Sequence, residues 1–340
     1  MAEIKQLLPV VPKYFKANLH THSTITDGKF SPEELKEMYK KQGYQILAIT
    51  DHNVVVDHSA LNEEDFLLLT GGEFGVSEPG QDALYKKSYH LNCISKRPDN
   101  NWQPLLPRKP REITLPYLEK VDSPDIPRSH CPDSINEIIE KCNEHDYLVT
   151  YNHPVWSLHN YMDYAPLKGL WGMEICNYSC LYSGWDTYST TIYRDMLEQG
   201  NRLFPIGCDD MHTMKSFAGA WIMVGAESLT YDSVISALEK GDFYASTGPE
   251  IYSLTLEGAT LKITCSDATS IALESDCRFA KRALPTQKDG LLREATFDLT
   301  KWIEGSKSHE TTEKAYIRLT VYGPYGHRAF TRAFFYKELF

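Results

Sequence analysis

Polar and apolar positions along the chain fall into alternating strand and helix patterns. Residues 14–19 form a short apolar run that reads as an opening strand. "SPEELKEMYKKQ" (31–42) then carries a helix start: Ser31 is placed to cap, Pro32 suits the first turn, and Glu34 completes a capping box. Gly43 stops the helix, and "YQILAIT" (44–50) reads as a buried strand. The alternation continues with strands at 66–74, 89–95, 147–154, 169–177, 202–210 and 220–226, and helices at 133–145, 185–200 and 231–241. Seven or eight strands alternating with helices predict an α/β fold, either an open doubly wound sheet or a closed barrel.

Two segments break this rhythm. Residues 96–132 are rich in proline and charge and read as a lid-like insertion. From residue 251 the helical period gives way to period-two alternation, which predicts a small antiparallel β module at 251–340 behind a larger domain at 1–250.

Composition narrows the function classes. The net charge of −11 disfavours a broad nucleic-acid surface, which needs a basic face. No apolar stretch is long enough to span a bilayer, and the start of the chain lacks a signal-like apolar core. Eight cysteines without a CxxC pair read as reduced thiols, with Cys176 and Cys180 as packing residues. The expectation is a cytoplasmic protein of unspecified oligomeric state acting on a small molecule, with no membrane partner.

The chemistry sits at the strand ends. The first strand is followed by His20, His22 and Asp27, the second by Asp51, His52 and Asn53, and the third closes on Glu73. His90 lies in the fourth, His153 ends the fifth, and Asp210 and His212 end a later one. Residues i and i+2 of a strand share a face, so His20 and His22 point the same way, and the Asp210–His212 pair repeats the spacing. Strand ends are where barrels and α/β sheets build their sites. His, Asp and Glu donors without cysteine favour Zn, Mn or Fe. Nine donors exceed one tetrahedral ion and suit two or three divalent ions, with Glu73 as the natural bridge. Asp51 reads as a turn former or a support for the ligands, as does Asn53.

The motifs "HTHSTITDG", "TDHN", "GGEFG", "YHLN", "YNHP" and "DDMH", spanning residues 18–212, together resemble the polymerase and histidinol phosphatase (PHP) domain family. The segment "GDFYASTGPEI" (241–251) with the β-rich tail is similar to a subgroup of PHP-type metallohydrolases. The resemblance implies a distorted (β/α)7 barrel and a di- or trinuclear cluster whose metal-bridging water attacks phosphorus. It also implies one ion on His20, His22, Glu73 and Asp210, a second on Glu73, His90 and His153, and a third on Asp27, His52 and His212. Asp27 stands where some members have histidine, and Asp209 where serine is common.

The expected activity is hydrolysis of a phosphate ester of a small metabolite or nucleotide. The subgroup also allows carboxylic or carbamate ester hydrolysis, and a third reading makes the β module a carbohydrate- or protein-binding unit through aromatics such as Tyr322 and Tyr325. The insertion concentrates Lys96, Arg97, Arg108, Lys109, Arg111 and Arg128, and Arg128 with His130 is the candidate substrate-phosphate contact. Trp156, Tyr178 and Trp185 are an aromatic platform or core residues. His58, His145, His159, His309 and His327 read as structural or surface histidines.

Overall fold

A computed structural model describes residues 4–80, 82–186, 188–287, 290–307 and 313–340; His309 lies outside them. Local chemistry places the elements where the pattern predicts. The helix Pro32–Lys41 carries the full Ser31–Glu34 capping box and buries Leu35 and Tyr39. Helix Pro132–Glu144 buries Ile135, Ile138, Ile139 and Cys142 along one face. Helix Tyr231–Lys240 is capped by the Thr230 side chain and ends on Gly241 at φ 72°, a left-handed position that glycine adopts without strain.

The strands do not form one parallel sheet. Phe15–Asn18, Ile46–Ala48 and Leu67–Leu69 are parallel neighbours, as are Tyr147–Tyr151, Gly172–Asn177 and Phe204–Cys208. Between these triplets, Gly71–Ser77 and Ser88–Ser95 run antiparallel, with no helix separating them. Trp221–Val224 is also antiparallel to both its partners, Phe15–Asn18 and Phe243–Ser246. The continuous strand expected at 66–74 bends at Thr70, so one half closes one sheet and the other half opens the next.

The two sheets meet again where Thr21 bridges Met211 and where the backbone of Gly207 packs against Trp221. The result is a mixed α/β arc whose ends touch. Its hydrogen-bond ladder stays divided into a five-stranded and a ten-stranded sheet and does not form a closed barrel.

C-terminal to residue 250 the strands are antiparallel, as the period-two pattern predicts. One helix, Thr300–Lys307, interrupts them, anchored by buried Trp302. The ten-stranded sheet continues from the arc into this region through the pairing of Phe243–Ser246 with Arg328–Phe330. The short strand Ile4–Gln6 pairs with Ile251–Glu257. One apolar core underlies the arc, including Ile46, Leu69, Ile138 and Ile206. A second, around Leu254, Ile263, Leu273 and Leu319, fills the C-terminal sheets.

The proline-rich segment is not wholly a surface loop. Trp102 stacks on His145 with ring centroids 3.9 Å apart, and Gln103 and Leu105 are buried. Only its later part, from Arg108, lies over the surface.

Candidate metal centre

Backbone bonds lock neighbouring strand ends together in pairs. Asp210 N donates to His20 O at 2.9 Å and His22 N to Met211 O at 3.0 Å, which sets the two i, i+2 pairs side by side. Asn53 N donates to Glu73 O and Glu73 N to Asp51 O, joining the second strand end to the third. Asn152 N donates to His90 O and brings His153 alongside. His153 and Asp210 take up positive φ angles, 26° and 52°. Such backbone costs of order 1–3 kcal/mol per residue and recurs at functional sites.

All nine candidate ligands converge. His20 Nε2 and His22 Nε2 lie 3.1 Å apart, and each is 3.2 Å from Asp210 Oδ1. Glu73 is buried at the centre. Its Oε1 is 3.0 Å from His90 Nδ1, 3.3 Å from His153 Nε2 and 3.4 Å from His20 Nε2. Its Oε2 is 2.9 Å from His52 Nδ1 and 3.6 Å from His22 Nε2. Asp27 lies 3.5 Å from both His52 Nε2 and His212 Nε2, and 3.9 Å from His22 Nδ1.

The charges reveal what the cluster is built to hold. Burial opposes ionisation of Glu73 and Asp210, yet the surrounding histidines hold both well below the usual carboxylate range. Burial likewise disfavours imidazolium, but Asp210, Glu73 and Glu174 raise His20 well above its ordinary value, and Glu73 and Asp27 bring His52 to about 10. His22 goes the other way, to about 4, through burial and then His52. Imidazole nitrogens 3.1 Å apart cannot both carry protons at low cost, so a divalent cation fits this donor set better than protons do. Two buried atoms, His22 Nδ1 and Glu73 Oε2, have no aligned hydrogen-bond partner and are free to coordinate.

The supporting residues include one that strand-end reading overlooks. Glu174 lies inside the buried strand Gly172–Asn177. It bonds His20 Nδ1 at 2.6 Å and accepts from His153 N at 2.7 Å and Asn177 Nδ2 at 3.0 Å. A carboxylate on Nδ1 fixes the tautomer that presents Nε2 to a metal. Cys208 Sγ lies 3.0 Å from Glu174, and burial followed by that carboxylate pushes its thiol pKa well up. Cys208 is therefore a thiol donor to Glu174. A lone glutamate in an otherwise apolar strand was the available signal.

Asp51 does not join the ligands. It accepts from Ser23 N at 2.9 Å, from Ser23 Oγ at 2.6 Å and from Thr26 Oγ1, holding the loop that carries His22 and Asp27. Asn53 Oδ1 accepts from Gly75 N. Asp209 takes three backbone N–H bonds from residues 218–220 and one from Tyr39, so it anchors the chain after Asp210. Asn152 Nδ2 donates to Glu73 Oε1 at 2.8 Å.

The cluster opens into a cavity of about 220 Å³ walled by Trp156, Ser179, Cys180 and Ser183. The half-exposed Trp156 ring lies 5.0 Å from His153 and 5.8 Å from His90, a platform at the mouth. Arg128 and His130 do not line this cavity. Arg128 Nη2 donates to Leu106 O and Asp125, while His130 packs against Tyr89 and His159. Trp185 and Tyr178 are likewise absent from its walls.

No family model matches the chain. A stretch of 38 residues, 11% of the chain, is 55% identical to the DNA polymerase/3'-5' exonuclease PolX of Bacillus subtilis. A stretch aligned over 70 residues, 19% of the chain, is 37% identical to a 5'-3' exoribonuclease of Haemophilus influenzae. The chain spans 7% and 26% of the lengths of these two relatives. Among solved structures it is similar to a two-domain protein from Bacteroides vulgatus described as containing a "predicted PHP-like metal-dependent phosphoesterase". That match has a TM-score of 0.44 and 15% identity and covers 97% of this chain and 98% of that one. An amidohydrolase from Chromobacterium violaceum matches with a TM-score of 0.39 and 15% identity, over 58% of this chain and 87% of that one. By motif order and by these matches, the chain is similar to PHP-like metal-dependent phosphoesterases.

Proposed function

We propose that the protein is a PHP-type metallohydrolase, with its core a distorted (β/α)7 arrangement in residues 1–250 and a β module at 251–340. It would hydrolyse a phosphate ester of a small metabolite or nucleotide. The observation that carries the reading is the convergence of nine buried or half-buried His, Asp and Glu side chains on Glu73 and Asp210. His20, His22, Glu73 and Asp210 would hold one divalent ion, Glu73, His90 and His153 a second, and Asp27, His52 and His212 a third. Zn, Mn or Fe would polarise phosphoryl oxygens there and lower the pKa of coordinated water.

The chain's own residues do the rest. Glu174 aims His20, Asn152 fixes the Glu73 carboxylate, and Asp51 clamps the loop bearing His22 and Asp27. Trp156 covers one side of the mouth and limits water access to the buried donors. The cavity of about 220 Å³ suits a phosphoryl group with a compact leaving group. The acidic surface, at −11 net charge, suits a small substrate better than a long nucleic acid.

The test is turnover of para-nitrophenyl phosphate and its bis ester by protein reconstituted with Mn or Zn. Metal-dependent release that disappears in Asp210→Asn supports the reading. Bound metal with hydrolysis of carboxylic or carbamate esters alone would reassign the bond. Ligand binding by the C-terminal region with no hydrolysis of any ester would move the function to the β module.

A further inference from the structure

The strand pair that supplies Glu73 and His90 continues past the metal centre into a second cleft of about 480 Å³. In its register Glu73 faces Asn92, Gly75 faces His90 and Ser77 faces Ser88. Residues two apart share a face, so Glu73, Gly75 and Ser77 mark one line, and Ser77 lies about 13 Å along it from Glu73. Gly75 keeps the passage open, because a Cβ there would sit 3.3 Å from His90 Nε2. Asn53, next to His52, lines the same near end.

The far end of this cleft is cationic in a protein that is acidic overall. Lys86, Arg108 and Arg128 line it, against the single carboxylate of Glu78. The adjacent Lys87 pairs with Asp163, and Arg128 is held by Leu106 O and Asp125. Neither Lys86 nor Arg108 pairs with a carboxylate among the described residues. Burial, partly offset by Asp125, and then Arg108 lower the Arg128 pKa, so the two guanidinium groups repel each other. An anion between them would relieve that repulsion and gain charge-assisted bonds.

We propose that Lys86, Arg108 and Arg128 bind a second phosphoryl group of the substrate, making the preferred substrate a small bis-phosphorylated molecule. The proposal rests on the phosphoesterase reading for the first phosphoryl group. It returns Arg128 to substrate binding, though in a different cleft from the metal centre.

The test titrates the metal-loaded protein by calorimetry with alkane-1,n-bisphosphonates of increasing chain length and with the matching alkylphosphonates. Their C–P bonds are not hydrolysed. The wild type is expected to bind the best-fitting bisphosphonate at least about tenfold more tightly than the monophosphonate. Lys86→Ala/Arg108→Ala should abolish that advantage and leave monophosphonate affinity unchanged; both side chains are at least partly exposed, so folding is not at stake. Equal affinities in the wild type, or an advantage that survives in the variant, would overturn the proposal. Release of para-nitrophenol is measured in parallel. A variant-sensitive advantage without ester hydrolysis would retain the anion cleft and remove the phosphoesterase reading.

Discussion

Glu174→Gln isolates one supporting carboxylate while keeping its shape. Every partner of Glu174 presents a hydrogen when His20 offers Nε2 to a metal: His20 Nδ1, the amide of His153, Asn177 Nδ2 and the Cys208 thiol. A glutamine has one accepting oxygen and an NH2 group, so its nitrogen must face donors on one side. Losing a hydrogen bond to a charged group costs about 1.5–3 kcal/mol, and stranding a buried donor costs about 1–3 kcal/mol. Partial relaxation of the site brings the expected loss of stability to about 2–4 kcal/mol. Releasing His20 from its carboxylate should weaken metal affinity by about 10–100-fold, the usual range for partners of a ligating histidine. Competition with a chromogenic chelator measures the affinity, and urea denaturation of chelated protein measures the stability. Unchanged affinity in a folded Glu174→Gln variant would refute the claim that Glu174 aims His20 at an ion.

Four further outcomes follow from the same geometry. Asp210→Asn keeps a residue that tolerates the φ of 52°, so the variant should fold, lose metal and lose turnover, as circular dichroism, elemental analysis and ester hydrolysis would show. Gly28→Ala places a Cβ 2.1 Å from His22 O, so it should displace the loop bearing His22 and Asp27 and lower metal stoichiometry in elemental analysis. Removing metal by chelation should lower the melting temperature in calorimetry, because an ion at 100 times its Kd stabilises the folded state by about 2.7 kcal/mol. His159, whose pKa burial pulls down to about 3, stays neutral in the folded chain but takes up a proton when unfolded below pH 6.5. Its contribution therefore favours unfolding as pH falls, by about 2 kcal/mol between pH 6.5 and pH 5. His159→Phe should flatten the pH dependence by that amount in paired urea melts at the two pH values.

Much of the centre was legible because its ligands sit where sequence carries direction. His20 and His22, and again Asp210 and His212, are i, i+2 pairs beyond apolar runs, and the fold zips the two pairs together through Asp210 N and His22 N. Glu73 was legible as an acid closing a buried run. Glu174 was not, because it lies within a strand and its role depends on His20, 154 positions away in the chain. The Ser31 capping box is local chemistry and appears as the sequence predicts. Strand direction is not local: nothing in "YHLNCIS" shows that its partner runs antiparallel, so the parallel reading gave way to a mixed arc. Arg128 was recognised by its charge, but its location needed the register that carries Gly75 and Ser77 away from the metal donors.

The central claim is that the converging histidines and carboxylates hold divalent ions, and metal stoichiometry tests it most directly. Elemental analysis of protein purified without chelator, repeated after reconstitution with Mn or Zn, should find two or three ions per chain. Asp210→Asn and His20→Ala should each reduce that number while the chain stays folded. A folded wild-type chain that retains no ion after reconstitution would contradict the account.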